Sequence, residues 1–326
     1  MNWNRSKTLL VTGASGHLGR RVVEILLDAE AGPIVATTRT PEKLASLAER
    51  GAVVRYADLD EPASLDEAFA GADRLLLVST DALGSCLPQH WAAFDAAVRA
   101  GVKHIVYTSL TNPEKWEAPF ALEHAATEEA LRASGLGWTV LRNNLYTDYL
   151  LPKLSNAIAS GQLAAAAGDG GAAYVTRADC AGAAAAALAS SDFDGRTIDV
   201  TGPAVVTHAE LAKIASDISR GRVTYVHTSP EELRKGFVAA GMSKNETDVL
   251  VTIDVAIAKG WLGAVTNAVE ELTGHPPASV AEFLAEHSDV LFSAVEPASV
   301  GTEFTNLSRP FIGRVGGMTG QMMSEE

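Results

Sequence analysis

The stretch Thr8-Leu9-Leu10-Val11-Thr12-Gly13-Ala14-Ser15-Gly16-His17-Leu18-Gly19 decides the fold of this chain. A short run of strand character enters a turn punctuated by three glycines, and an apolar helix over 20–29 follows. That order makes a dinucleotide cradle: Gly13 permits the tight turn, Gly16 lets the backbone approach a pyrophosphate, and Gly19 lets the helix press on the strand. The helix N-terminus adds free N–H groups and the positive end of a dipole. A glycine triplet alone is a weak signal, because turns before helices carry glycine for backbone reasons. Its context strengthens it: Val22, Val23, Ile25, Leu26 and Leu27 give the helix a broad buried face.

A second strand, over 33–38, ends in Arg39, at the distance where the adenosine ribose is read. An acidic residue there would bind the 2′-hydroxyl. Thr37, Thr38 and Arg39 instead offer hydroxyls and a fixed cation, which suit a 2′-phosphate. NADP(H) is favoured on that ground, with NAD(H) as the alternative. The plainer reading of Arg39 is a solvated residue ahead of the next helix, where Thr40 and Pro41 look like N-cap and first helical position.

Outward from this unit, extended and helical patterns alternate. Strands are expected over 52–58, 74–79, 104–109 and 138–142, and helices over 64–69, 88–100 and 120–134. Apolar runs such as LLLV and HIVYTS suit a sheet covered on both faces, so the fold class is α/β, a Rossmann-type doubly wound parallel sheet. Past 145 the pattern loosens. An Ala and Gly loop is expected over 163–171 and an Ala-rich helix over 177–189. A strand over 197–201, a helix over 208–219, a strand over 223–227 and helices to about Leu291 complete a smaller mixed α/β C-terminal lobe. The expected domains are 1–150, binding NAD(P) with later segments returning to it, 151–295 as the substrate-pocket lobe, and 296–326 as a flexible or loosely attached arm.

With 326 residues, 47% of them apolar, the chain can bury one large core with a smaller lobe attached. A net charge of −14 and the lack of any Lys or Arg run argue against nucleic acid as a partner. A cationic contact such as Arg39 survives this, because it acts inside the screening length. Cys86 and Cys180 have no metal or redox spacing, which points to a reducing compartment, and Cys180 reads as a core residue of its helix. No run reaches the roughly 20 apolar residues of a membrane span, and MNWNRSK does not resemble a signal peptide. A cytoplasmic enzyme with no membrane partner and no metal is the expectation, and a homodimer is compatible with it.

Several blocks carry a family likeness: GASGHLG, TTRTPEKLASLAERGAVVRYADLDEPASL, AGVKHIVYTSL, ATEEALRASGLGWTVLRNNLY and TRADCAGAAAAAL. In that order they resemble the NmrA-like atypical short-chain dehydrogenases, in the branch of NAD(P)H:quinone oxidoreductases and triphenylmethane reductases, from about Leu9 to about Leu291. The resemblance implies that Gly13, Ser15, Gly16, His17, Leu18 and Gly19 hold the pyrophosphate and that Arg39 takes the 2′-phosphate. It places Asp58 and Leu59 beside the adenine, and Leu77, Val78, Ser79, Thr108 and Ser109 on the ribose side. Asn143, Asn144 and Leu145 would border the nicotinamide. Ligands of open parallel sheets gather at the carboxyl ends of strands, where these positions fall.

The chain departs from the wider superfamily at its Tyr-x-x-x-Lys pair, replaced by Phe120 and His124. Phenylalanine delivers no proton, which puts tyrosine-dependent carbonyl chemistry in doubt and favours a quinone or extended aromatic acceptor, whose reduced oxygen anion is stable. His124 is one helical turn after Phe120. It could bind a ribose hydroxyl when neutral, donate to a developing quinol oxygen as imidazolium, or be an ordinary exposed histidine. Asn144 could donate to the nicotinamide or to a substrate oxygen, or could shape the turn. Phe120, Tyr146 and Tyr149 are candidate pocket residues, the tyrosines able to stack on a flat substrate or to pack in the core. Glu128, Glu129 and Arg132 read as a solvated helix face with one Glu128–Arg132 pair. The expected function is NAD(P)H-dependent hydride transfer to a quinone or conjugated aromatic, with an oxygenase consuming a natural-product hydroquinone as a variant. The alternative is a redox sensor that binds NADP(H) without catalysis.

Overall fold

Leu9, Leu10 and Val11 are all buried on the three-residue strand β1 (Leu9–Val11), because both faces of its sheet are covered. The computed structural model describes residues 3, 5–80 and 86–293; the arm expected over 296–326 lies outside them. After β1 come α1 (His17–Asp28), β2 (Ile34–Thr38), α2 (Ala45–Glu49), β3 (Val53–Tyr56), α3 (Pro62–Phe69), β4 (Arg74–Leu77), α4 (Cys86–Ala100), β5 (His104–Leu110), α5 (Pro119–Ala133) and β6 (Gly137–Asn143). The chain continues through α6 (Leu150–Ser160), β7 (Gln162–Ala165), β8 (Gly171–Ala172), α7 (Arg177–Ala189) and β9 (Thr197–Val200). It ends in β10 (Val206–Thr207), α8 (His208–Ser219), β11 (Thr224–His227), α9 (Pro230–Ala239), α10 (Lys244–Ala258), α11 (Ala268–Thr273), α12 (Val280–Glu286) and α13 (Ser288–Ser293).

One seven-stranded sheet has the order β3-β2-β1-β4-β5-β6-β9, with every pairing parallel. The order reverses between β1 and β4, which opens a crevice at the carboxyl edge there. Strand parity sorts the core. Leu9, Val11, Leu76, Val106 and Leu141 pack with α1 and α7, whereas Leu10, Leu75, Leu77, Ile105, Tyr107 and Val140 pack with α3, α4 and α5.

The alanines of α7 have a packing reason. Residues 183–187 are all buried between α1, the sheet and α11, and a Cβ on Gly182 would come within 3.1 Å of Thr273 Cγ2. Cys180 lies in the same core. Buried Arg74 anchors the far end of this helix, donating from Nε to Leu188 O at 2.8 Å and from Nη2 to Ala187 O at 3.0 Å while paired with Asp194.

The lobe corrects one sequence expectation. Within the loop expected over 163–171, residues 163–165 lie in β7, paired in parallel with β11, and Gly171 opens β8, which pairs antiparallel with β10. β7 alternates exposed and buried residues, yet its buried positions are Leu163 and an alanine, so the period is invisible until partners arrive. Four lobe helices begin with capping boxes, at Thr207/Glu210, Ser229/Glu232, Ser243/Glu246 and Ser279/Glu282.

Candidate functional site

The glycine turn has the backbone that its sequence requires. Gly13 takes a left-handed φ of +61°, Gly16 N donates to Gly13 O at 2.9 Å, and Ala14 N donates to Thr37 O at 3.0 Å. A Cβ on Gly19 would sit 2.5 Å from Gly13 O, so only glycine allows this approach of α1 to the turn. Gly16 is the N-cap of α1 and brings no side chain to cap it. The leading N–H groups of α1 therefore open toward a lip of exposed residues, Gly13, Ser15, Gly16 and His17, with Leu18 and Gly19 buried beneath. Thr38 Oγ1 donates to Ser15 Oγ at 2.8 Å and holds the lip against β2.

Arg39 is exposed just past β2 and has no hydrogen bond or ion pair among the described residues. Asp58 Oδ1 accepts from Asp60 N at 3.0 Å, and half-buried Leu59 packs on the core under α3 and α4. Gln89 Nε2 reaches this turn by donating to Asp60 Oδ1 at 2.7 Å. At the carboxyl edge, Thr12 Oγ1 accepts from Val78 N at 3.0 Å and Thr108 Oγ1 accepts from Ser79 N at 2.9 Å. Thr12, just past β1, and Thr108, on β5, thus flank β4 and set the path of the chain that leaves buried Leu77.

Ser109 has a different engagement. Its hydroxyl donates to Glu128 Oε1 at 2.7 Å, and Glu128 also receives Arg142 Nε at 2.9 Å, Arg142 Nη2 at 2.8 Å and Arg132 Nη2 at 2.9 Å. Glu128 is 1% exposed, which corrects the solvated face expected for it, although its i,i+4 pair with Arg132 is present. Burial pushes its pKa up, but the bonds from Arg142 and Ser109 outweigh that and hold it below the ordinary value. Arg142 is on β6, 14 residues away, beyond any helical spacing rule.

His124 is half-buried, with Nδ1 2.7 Å from the phenol oxygen of fully buried Tyr107. Desolvation lowers its pKa to about 4, against a weaker upward pull from Glu128. A neutral imidazole at pH 7 follows, which favours a hydrogen-bonding role over the imidazolium donor among the sequence options. Phe120 stands edge-on against buried Trp116, ring centres 5.6 Å apart, and packs on the lobe core.

The segment after β6 is also committed. Asn144 is buried, donates from Nδ2 to Leu262 O at 3.0 Å and accepts from Leu145 N at 2.8 Å. It braces the turn and ties the lobe to the sheet, the plainer of its two sequence readings, and Asn112 does the same through Trp261 O at 2.7 Å. Leu145 packs on the lobe core. Asn143 Nδ2 donates to Tyr146 Oη at 3.1 Å, while its own buried Oδ1 has no partner among the described residues. Tyr146 and Tyr149 lie 5.7 Å apart, and the Arg177 guanidinium, paired with Asp148, covers both rings at 5.2 and 5.3 Å. Arg177, Tyr107, His90 and Arg142 escaped the sequence reading. Strand parity could have joined Tyr107 to Ser109, but nothing in the spacing leads to the others.

Among the described residues no cluster of His, Cys, Asp and Glu could hold a metal ion, and no helix is long and apolar enough to cross a membrane. Residues 13–191 match a family model described as NAD(P)H-binding. Quinone oxidoreductase 2 of Escherichia coli (strain K12) is 36% identical over 275 residues, 84% of this chain and 96% of that protein. The crystal structure of an Escherichia coli NADPH-dependent quinone oxidoreductase complexed with NADPH matches with a TM-score of 0.82 at 35% identity, over 86% of this chain and 99% of that one. Citrobacter sp. triphenylmethane reductase complexed with NADP(H) matches with a TM-score of 0.80 at 34% identity, over the same 86% and 99%.

Proposed function

The chain belongs to the NAD(P)H-binding family, in the NmrA-like atypical short-chain dehydrogenase branch, and from that premise we propose that it passes hydride from NADPH to a quinone or similarly conjugated aromatic acceptor. It is an NAD(P)H-dependent oxidoreductase and its cofactor is NADP(H). The residues present fit that cofactor: a turn that a single Cβ would fill, an uncapped helix N-terminus and an unpaired exposed guanidinium. Bound there, NADPH supplies the hydride.

In this reading Gly13, Ser15, Gly16, His17, Leu18 and Gly19 cradle the pyrophosphate through backbone N–H groups, and Arg39 pairs with the 2′-phosphate. Asp58 and Leu59 flank the adenine, while Leu77, Val78, Ser79 and Thr108 form the ribose edge. Asn143 and Leu145 border the nicotinamide, with Asn143 offering its unpartnered Oδ1 as an acceptor. Ser109 and Asn144 act one step back, through Glu128 and Leu262. Phe120, Tyr146 and Tyr149 bound the acceptor side, the tyrosines held by Arg177.

The observation that carries the choice of acceptor is the pairing of Phe120 with a neutral His124 where the wider superfamily has tyrosine and lysine. Such a site gives a hydrogen bond but no acid, so it suits an acceptor whose reduced anion is stable and takes its proton from water. Steady-state NADPH oxidation with simple, bicyclic and polycyclic quinones tests this, and turnover should be quinone-dependent. Tight binding of NADP(H) without turnover of any acceptor would instead favour the redox-sensor reading. A preference for polycyclic natural quinones would favour an oxygenase as the consumer of the hydroquinone.

Arg39→Glu gives a sharper test of cofactor choice. Losing one charge-assisted contact of ~1.5–3 kcal/mol should weaken NADPH by about 10- to 100-fold while NADH changes far less, read by calorimetry. Equal losses for the two nucleotides would remove Arg39 from the 2′-phosphate site.

A further inference from the structure

Tyr107 lies in a buried polar chain that hydride transfer, as described above, does not use. It is 0% exposed on β5, its phenol oxygen is 2.7 Å from His124 Nδ1, and the His90 ring of α4 stands edge-on to its own ring at 5.3 Å and 69°. His90 is fully pinned. Its Nε2 accepts from Thr80 N at 3.4 Å, so its proton sits on Nδ1 and is donated to Thr127 Oγ1 at 3.0 Å. The Thr127 hydroxyl in turn donates to Glu123 O at 2.8 Å. Desolvation lowers the pKa of His90 to about 3, so this part of the chain is neutral and static.

The proton of Tyr107 then has two acceptors within reach, His124 Nδ1 and Thr127 Oγ1. Burial pushes the phenol pKa well up, so the group keeps its proton; Thr127 Oγ1 already accepts from His90 and gives its own proton to Glu123 O, which leaves it a single lone pair to compete with the imidazole nitrogen. The imidazole nitrogen His124 Nδ1, 2.7 Å away, is the stronger of the two acceptors. We infer that Tyr107 is a positioning residue: its phenol donates to His124 Nδ1, locks the imidazole as the Nε2–H tautomer, and makes that N–H a standing hydrogen-bond donor at the cofactor edge. His124 Nε2 has no protein partner among the described residues, which leaves it for a ribose hydroxyl or an acceptor oxygen. Only what the Nε2–H meets rests on the NADPH reading; the tautomer does not. The site thereby gains a fixed donor where the neutral ring alone would divide between two tautomers.

Nitrogen-15 NMR of the full chain tests this, because long-range proton–nitrogen correlations show which ring nitrogen of a histidine carries hydrogen, and His124→Gln identifies the signal. In the wild type His124 should be protonated on Nε2 alone, and Tyr107→Phe should bring in the Nδ1–H form. A wild-type proton on Nδ1, as when the phenol turns to Thr127 and accepts from His124, overturns the inference. So does a folded Tyr107→Phe whose His124 stays purely Nε2–H. Should that variant not fold, the wild-type tautomer alone decides. Added NADPH should shift the Nε2 signal. If NADPH binds and the signal stays put, the donor does not face the cofactor and that part of the inference falls while the NADPH site stands. If NADPH does not bind, the proposed function fails and the tautomer still judges Tyr107.

Discussion

Gly19→Ala is expected to weaken NADPH binding by tenfold or more and to lower stability as well. The added Cβ would lie 2.5 Å from Gly13 O, 2.9 Å from Gly13 C and 3.1 Å from Ala14 Cα, all backbone atoms that no rotamer change can move aside. Helix propensity runs the other way, because alanine is favoured over glycine within a helix by ~1 kcal/mol. Overpacking costs ~1–3 kcal/mol, so strain wins. It can be relieved only by moving α1 away from the turn, which displaces the N–H groups proposed to face the pyrophosphate. Calorimetric titration with NADPH and a thermal melt read the two effects together, and an unchanged affinity would mean that the cradle is not where the pyrophosphate sits.

Glu128→Ala should destabilise the fold by ~3 kcal/mol, at the lower end of what breaking a buried ion pair costs. The lower end applies because Arg132 is 37% exposed and can turn to solvent, and Arg142 keeps Glu114 at 3.3 Å. Ser109 and the Nε of Arg142 would still lose their buried acceptor. A pH dependence accompanies this. The folded-state pKa of Glu128 lies below its ordinary 4.5, so its contribution is complete above about that pH and is lost as pH falls through the folded value. Urea unfolding of the wild type should show an acid limb that Glu128→Gln flattens. An identical limb in the variant would assign the acid sensitivity to other carboxylates.

Much of this was legible in the chain, and the reason differs by element. The β1 turn, α7 and α8 were readable because local rules fix them: glycine at a positive φ, Thr at the starts of α7 and α8, apolar period in α1. β7 was not, since its period depends on an alanine whose burial only β11 and the lobe provide. Arg39 could be singled out by counting along the second strand, because a nucleotide's length is fixed and the residue just past that strand is the one proposed to meet the 2′-phosphate. The protonation state of His124 could not be counted. Burial beside Tyr107 sets it, and burial is a property of the assembled helices and sheet.

The sequence by itself determined the parallel α/β order, the glycine cradle, the cation after β2 and the absence of tyrosine at position 120, because each follows from residue type at short range. Only the tertiary structure decided which side chains are free to meet a ligand. Ser109, Asn144 and Glu128 looked available in the chain and are bound in the fold, by partners 19, 118 and 14 residues away. Hydrogen bonds to buried groups are made wherever the packed backbone brings donor and acceptor together, and sequence distance has no part in that choice.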